Sequence, residues 1–307
     1  LGGAAVVAHA IEALRGDDLR QRERAAGVLA RHGDSRLSTV LGEALLTADN
    51  TARSAERIAV ALAELGGQRA EALLLDALYT HQGAARLGVI SGLAAFESLN
   101  TIAPLIVLLG HPDGDLRQTV RRTLHAIGAA AVTPLVETLT REMHWLNTQM
   151  SAEPRFATLV EQTAQVYLAQ RLRHPRWSLH FSVAWQRTAE ILRLIGACGA
   201  ALPHGEQRRY FEVLAGYLEF SRYWDYALTG IAHLSLPEAT ATLQAMITKR
   251  EGPRGARAAA LLAQHTPNPL AHMHPLTTSA AGRANLTNAL AHLPPAEREH
   301  LRALLAE

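Results

Sequence analysis

Apolar residues recur at spacings of three and four along residues 111–141. Leu116, Val120, Leu124 and Ile127 share one face of a first helix, and Val132, Leu135, Val136 and Leu139 one face of a second. Gly128 separates the two. Such spacing is what an amphipathic helix needs to bury a single stripe. Two helices of about three turns cannot bury enough surface by themselves, so the unit requires neighbours. Those neighbours lie upstream. Leu29, Leu62, Leu93 and Leu124 hold one place at intervals of 33, 31 and 31 residues, and Leu41, Leu74, Leu105 and Val136 hold the matching place in the second helix at the same intervals. The pattern predicts an all-α fold, a right-handed α/α superhelix (an α-solenoid) of about seven helix pairs, with the second helices lining its concave side.

Residues 1–15 repeat the second half of the unit: Gly3, Val7, Ala10, Ile11 and Leu14 follow the order of Gly128, Val132, Leu135, Val136 and Leu139. An exposed half-unit is poorly soluble, so the chain is expected to be a fragment of a longer protein. Whole units follow at 17–47, 49–79 and 80–110. Asp49, Asn50 or Thr51 suits a helix cap, accepting from free amide groups. Gly33, Gly66 and Gly128 stand where a helix ends and the chain reverses, which often requires positive φ. The third unit carries Glu97 there, and Asn100 is the expected turn former. Pro104 and Pro134 are read in the first turn of second helices, where a lost amide hydrogen costs little.

Regularity ends after Arg141. The chain therefore divides into regular repeats at 1–141, an irregular helical insertion at 142–183, divergent repeats at 184–265, and a proline-containing connector with C-terminal capping helices at 266–307. A helix is expected over 157–172. Trp185, Ala189, Leu192 and Ile195 mark another, halted by Gly196, with its partner at 205–219. A further pair spans 223–234 and 237–248, and a short helix 256–264. The stretch QHTPNPLAHMHPLTTS reads as an irregular surface segment, and the last helices as 280–292 and 295–305.

Composition sharpens this picture in several places. A hydrophobic content of 48% with only 5% aromatic residues fits Ala/Leu helix packing and argues against a β-sandwich or barrel. The formal net charge of +2 gives little global pull on nucleic acid. Lys249 is the single lysine beside 29 arginines, which fits a GC-rich, bacterial genome. Cys198 stands alone, excluding an intrachain disulfide and thiolate metal clusters and suiting a reducing, cytoplasmic setting. No apolar run reaches the roughly 18 residues of a membrane span, and no signal peptide is visible.

The units resemble HEAT-type repeats, specifically the short form named after phycobilin lyases. The likeness is carried by Arg24-Ala25-Ala26-Gly27-Val28-Leu29, by Gly33-Asp34, and by Ile127-Gly128 followed by Ala131-Val132 and Pro134. It is strong over 1–141 and partial over 184–265. That group includes chromophore lyase subunits, an iron hydroxylase, DNA-alkylation glycosylases and plain scaffolds, so the resemblance implies a fold and a tendency to bind macromolecules.

The sharpest local departure is residues 162–189, which contain no Asp or Glu. Arg171, Arg173, Arg176, Trp177 and Trp185 there form the candidate binding site, with Arg187, His174 and His180 nearby. Arginine beside tryptophan suits an acidic partner surface or a phosphate backbone; equally, the tryptophans could fill a wide gap while the arginines are solvated. Arg20, Arg22, Arg24 and Arg31 sit among Asp17, Asp18 and Glu23, which offset them.

Catalytic and metal chemistry finds little support. His265, His272 and His274 have no nearby acid to complete a closed metal site. The His-Glu pairs that the iron hydroxylase would need do not occur. Trp224-Asp225, with Tyr223 and Tyr226, is the one match in kind to a glycosylase site, yet it also reads as an ordinary solenoid helix. No phosphate-binding loop, dinucleotide fingerprint, HExxH or nucleophile elbow is present. The expected function is a non-catalytic protein–protein interaction scaffold without cofactor, its partner another protein or another domain of the same parent. The alternatives are a nucleic-acid backbone binder and a lyase-like auxiliary subunit handling a chromophore.

Overall fold

The computed structural model describes residues 3–46, 52–150, 153–171, 179–249 and 251–306. Among these the chain forms eighteen α-helices and four short 3-10 segments, and no strand. It divides into two compact units, Leu1–Thr188 and Ala189–Glu307.

The first unit opens with α1 (Gly3–Arg15), α2 (Leu19–His32), α3 (Leu37–Leu46), α4 (Ala52–Leu65) and α5 (Gly67–Thr80). It continues with α6 (Gly83–Gly92), α7 (Leu99–Leu108), α8 (Gly114–Ile127), α9 (Val132–Gln149) and α10 (Pro154–Arg171). Alternate helices build two layers. In one, α2 packs on α4, α4 on α6 and α6 on α8; in the other, α1 packs on α3, α3 on α5 and α7 on α9. The aligned leucines are the seam between them: Leu29, Leu62, Leu93, Leu124, Leu41, Leu74 and Leu105 are all 0% exposed. In α9 the buried position is Leu135, while Val136 is only half-buried. α10 lies against α5 and α7, where Arg155 reaches Asp76 and its guanidinium sits 5.6 Å from the centre of the Tyr79 ring.

Helix ends explain much of the local register. Asp18 Oδ1 accepts from the amides of Arg20 (2.9 Å) and Gln21 (3.2 Å), and Asp113 Oδ1 from those of Asp115 (2.9 Å) and Leu116 (3.3 Å). Gly33, Gly66 and Gly128 adopt positive φ of 74°, 66° and 71°; Gly33 is left-handed helical, whereas Gly66 and Gly128 carry ψ of −169° and −132°. Expectation and structure differ in the third unit. Ser98, not Asn100, caps α7 by accepting from the Thr101 amide at 3.2 Å, so Asn100 is helical and Pro104 lies beyond the first turn. Asp49, Asn50 and Thr51 lie outside the described residues.

A recurring arginine ties three of the connections together. Arg22 Nε donates to Gly16 O at 2.5 Å, Arg86 Nε to His81 O at 2.7 Å, and Arg117 Nη1 to His111 O at 2.7 Å. Each guanidinium satisfies a carbonyl left over where the preceding helix ends. Two of these side chains, Arg22 and Arg86, are therefore buried despite their charge.

The second unit holds the C-terminal part of α11 (Leu179–Gly199), then α12 (His204–Gly216), α13 (Trp224–His233), α14 (Pro237–Lys249) and α15 (Pro253–His265). α16 (Pro269–Met273), α17 (Ala280–Leu286) and α18 (Pro295–Ala306) complete it. α12 packs on α13, α13 on α14 and α15, and α15 on α17. Gly196 does not halt its helix, which runs on to Gly199. It serves instead as a contact: a Cβ there would stand 2.7 Å from Gly230 Cα and closer still to the Gly230 carbonyl. The expected surface segment after residue 265 is also part of the core. Met273 is fully buried and Leu276 nearly so, and with the buried Pro269 they form a short apolar stripe at helical spacing.

Cys198 is buried beside this crossing, and desolvation pushes its thiol up to about 12. The thiolate is the reactive species. The folded protein should therefore not react with an aromatic disulfide reagent at pH 8 over minutes, and should react stoichiometrically in denaturant. Rapid native labelling would show that Cys198 is accessible.

Candidate interaction surfaces

Most side chains of the acid-free segment lie outside what the structure describes. Arg173, Arg176, Trp177 and the side chain of Arg171 lie outside the described residues. Trp185 is half-buried on α11. Arg187 is only 8% exposed and is directed at the backbone of Gly110, where a Cβ would stand 3.2 Å from its Nη2. This arginine is a packing element of the first unit rather than a solvated cation.

An arginine–aromatic combination is described in the second unit. Five aromatic residues, Tyr217, Phe220, Tyr223, Trp224 and Tyr226, fall within ten positions of a chain that is 5% aromatic. They occupy the turn from α12 into α13. The Tyr217 ring centre lies 5.7 Å from that of Phe220 and 5.9 Å, edge to face, from that of Tyr223. Phe220 is 57% exposed. Burial, then the neighbouring Tyr223, raises the Tyr217 phenol above its ordinary range. The Arg254 guanidinium lies 5.4 Å from the Trp224 ring and donates to Leu218 O at 3.2 Å. Arg193 lies 4.3 Å from the Tyr226 ring. These contacts hold the arginines in place along the rings.

Asp225 sits among them, and both of its carboxylate oxygens are engaged. Arg257 Nε reaches Oδ1 at 2.7 Å and Arg193 Nη2 approaches Oδ2 at 3.8 Å. Arg257 also donates to Thr229 Oγ1 at 3.2 Å. A carboxylate tied in this way anchors α13 to α11 and α15. One turn further, the His233 and His265 rings lie 4.2 Å apart beside a hollow of about 550 Å³. Burial, His233 and Arg257 push His265 down to about 4. Among the described residues no three His, Cys, Asp or Glu side chains gather in a way that could hold a metal ion. Nor is any described helix long and apolar enough to cross a membrane.

A second surface lies in the first unit, between α2 and α4. This groove of about 1020 Å³ is lined by Arg20, Arg24 and Arg31 on one side and Arg53 and Arg57 on the other. Gly27 and Ala61 form its floor, with Val28 and Val60 beside them. Of the acids that offset these arginines along the sequence, Asp17 and Asp18 lie outside the groove and Glu23 lines it. Asp18 is spent on the helix cap, and Glu23 faces Arg53 at 3.4 Å. The sequence did contain a signal for the groove: Arg20 and Arg24 recur as Arg53 and Arg57 at the same interval of 33 as Leu29 and Leu62.

No protein-family model matches the chain, and no curated protein matches it. Among solved structures it is similar to an engineered protein, Northeast Structural Genomics Consortium target OR497. There the identity is 18% and the TM-score 0.30, over 97% of this chain and 92% of that one. It is also similar to the complex of CpcE and CpcF of phycocyanin lyase from Nostoc sp. PCC7120. That likeness has 17% identity and a TM-score of 0.31, over 97% and 92%. A second engineered protein, target OR329, is 14% identical with a TM-score of 0.30, over 94% and 97%. By its own structure, this chain is an all-α helical-repeat solenoid.

Proposed function

We propose that the chain is a non-catalytic scaffold that recognises another protein, with the surface at 217–226 as an anchor. The observation that carries this reading is Phe220, left 57% exposed at the edge of a tyrosine cluster flanked by held arginines. Aromatic residues and arginine dominate the energetics of protein interfaces, because they offer large contact area that loses little freedom on binding. Asp225, the acid on the aromatic turn of α13, is committed to two arginines and is not poised for chemistry.

The test compares tagged full-length protein with Phe220→Ala and Arg254→Ala variants in affinity capture from its native source, followed by titration of the captured partner. Phe220→Ala should weaken that partner at least about 30-fold, the effect of losing an interface residue worth about 2 kcal/mol. Melting should be little changed, since the ring is exposed. Undiminished capture by both variants would remove this surface from the reading. Salt-sensitive retention of nucleic acid instead of protein would replace the reading itself.

A further inference from the structure

We propose that the groove between α2 and α4 binds an acidic, amphipathic segment of a partner protein. The inference does not depend on the surface at 217–226, because every residue it uses belongs to the first unit.

Repeat geometry builds the positive charge. Arg20, Arg24 and Arg31 follow one line along α2, at spacings of four and seven, and Arg53 and Arg57 follow the equivalent line along α4. Eleven helical positions cover about 16 Å, so the arginine line matches about three turns of a partner helix. All five side chains are exposed. Arg53 has Glu23 at 3.4 Å, whereas among the described residues no carboxylate lies within ion-pairing distance of Arg20, Arg24, Arg31 or Arg57. Five guanidiniums thus converge on one groove with only two carboxylates, Glu23 and Glu64, leaving its lining net positive. Each offers a planar donor set suited to carboxylates.

The apolar half of the argument is the neighbouring groove between α1 and α2, of about 680 Å³. Its walls include Ala5, Val6 and Ala13, and it shares Arg24 and Val28 with the arginine groove. Val6 is 46% exposed. An occupant spanning both grooves must present carboxylates on one side and aliphatic side chains on the other, as an acidic amphipathic helix does. A nucleic-acid strand fits less well. No Phe, Tyr or Trp ring lines either groove for bases to stack on, the one aromatic side chain there being His9 in the α1–α2 groove.

The experiment uses the full chain and a fluorescent helical peptide of roughly 15 residues, with Glu and Leu at helical spacing. Partners are a Lys/Leu peptide of the same pattern, a Glu/Ser peptide without apolar residues, and a single-stranded oligothymidine. The Glu/Leu peptide should bind, and Arg24→Glu with Arg57→Glu should weaken it at least about tenfold while the circular dichroism and melting curve stay as in the unsubstituted chain. Val6→Ser should weaken it separately, by about threefold or more. Raising salt should reduce binding without abolishing it. The proposal fails if the Lys/Leu peptide binds as well, if the Glu/Ser peptide binds equally, or if the double reversal changes nothing. It also fails if the oligonucleotide binds more tightly through the same arginines. Sedimentation covers the remaining occupant: self-association lost on charge reversal would mean that a second copy fills the groove.

Discussion

Replacing Leu124 with Asp should cost more than about 4 kcal/mol of stability, the range reached when a charge is forced into a core without a partner. Leu124 is 0% exposed, on the face of α8 that closes the seam between the two layers. Removing its side chain alone would cost about 2–5 kcal/mol through lost burial and the cavity left behind. A carboxylate adds its own desolvation, and α8 brings Val120 and Ile127 to the same face rather than a cation. Because each repeat is stabilised by its neighbours, loss at α8 should propagate to α6 and α9 rather than stay local. Urea unfolding followed by far-ultraviolet circular dichroism measures this. Gln118→Asp, on the exposed side of the same helix, should lie within about 0.5 kcal/mol of the unsubstituted chain. Equal stability of the two variants would sink the register on which the repeat assignment rests.

Gly196→Ala and Gly230→Ala should each destabilise the second unit by about 1–3 kcal/mol or more, the usual range for overpacking. Intrinsic propensity points the other way, since alanine is the better helix former by about 1 kcal/mol. Geometry decides the sign. A Cβ on Gly196 would press on the backbone of Gly230, and one on Gly230 would press on the carbonyl of Leu192 and stand 3.2 Å from the Leu214 side chain. Backbone cannot yield by changing rotamer, so α11 and α13 would have to separate, exposing Leu192, Ile195, Leu228 and Ile231, all now buried. Gly205 is the control. It lies in α12 with nothing within 4 Å of a Cβ, and Gly205→Ala should raise the melting temperature slightly or leave it unchanged. If Gly196→Ala behaves like Gly205→Ala, the two helices do not cross where the structure brings them together.

The same two glycines mark where reading along the chain loses its grip. Gly33, Gly66 and Gly128 are turn residues because each follows an apolar helical stripe, and their positive φ confirms it. Gly196 follows such a stripe as well, yet its helix continues and its missing side chain is used by a neighbour 34 positions away. Local pattern cannot separate a glycine needed for its own backbone from one needed by another's. The proline-rich stretch after residue 265 misleads for a related reason. Pro269, Met273 and Leu276 bury an apolar stripe too short to stand out among turn-forming residues.

The chain by itself determined the helices, the leucine seam and the two-layer repeat, because helical geometry converts spacing directly into a shared face. Tertiary structure alone decided what each charged or aromatic side chain is for. Arg187, read as part of a basic contact segment, is buried against Gly110, and Arg22 and Arg86 close helix ends from inside. Arg24, read as offset by nearby acids, faces one groove together with Arg57, and Asp18 is spent on a helix cap. The charge of a residue is written in the sequence. Whether it faces a carbonyl, a carboxylate or open solvent depends on which helices meet, and that follows from packing between positions about thirty residues apart or more.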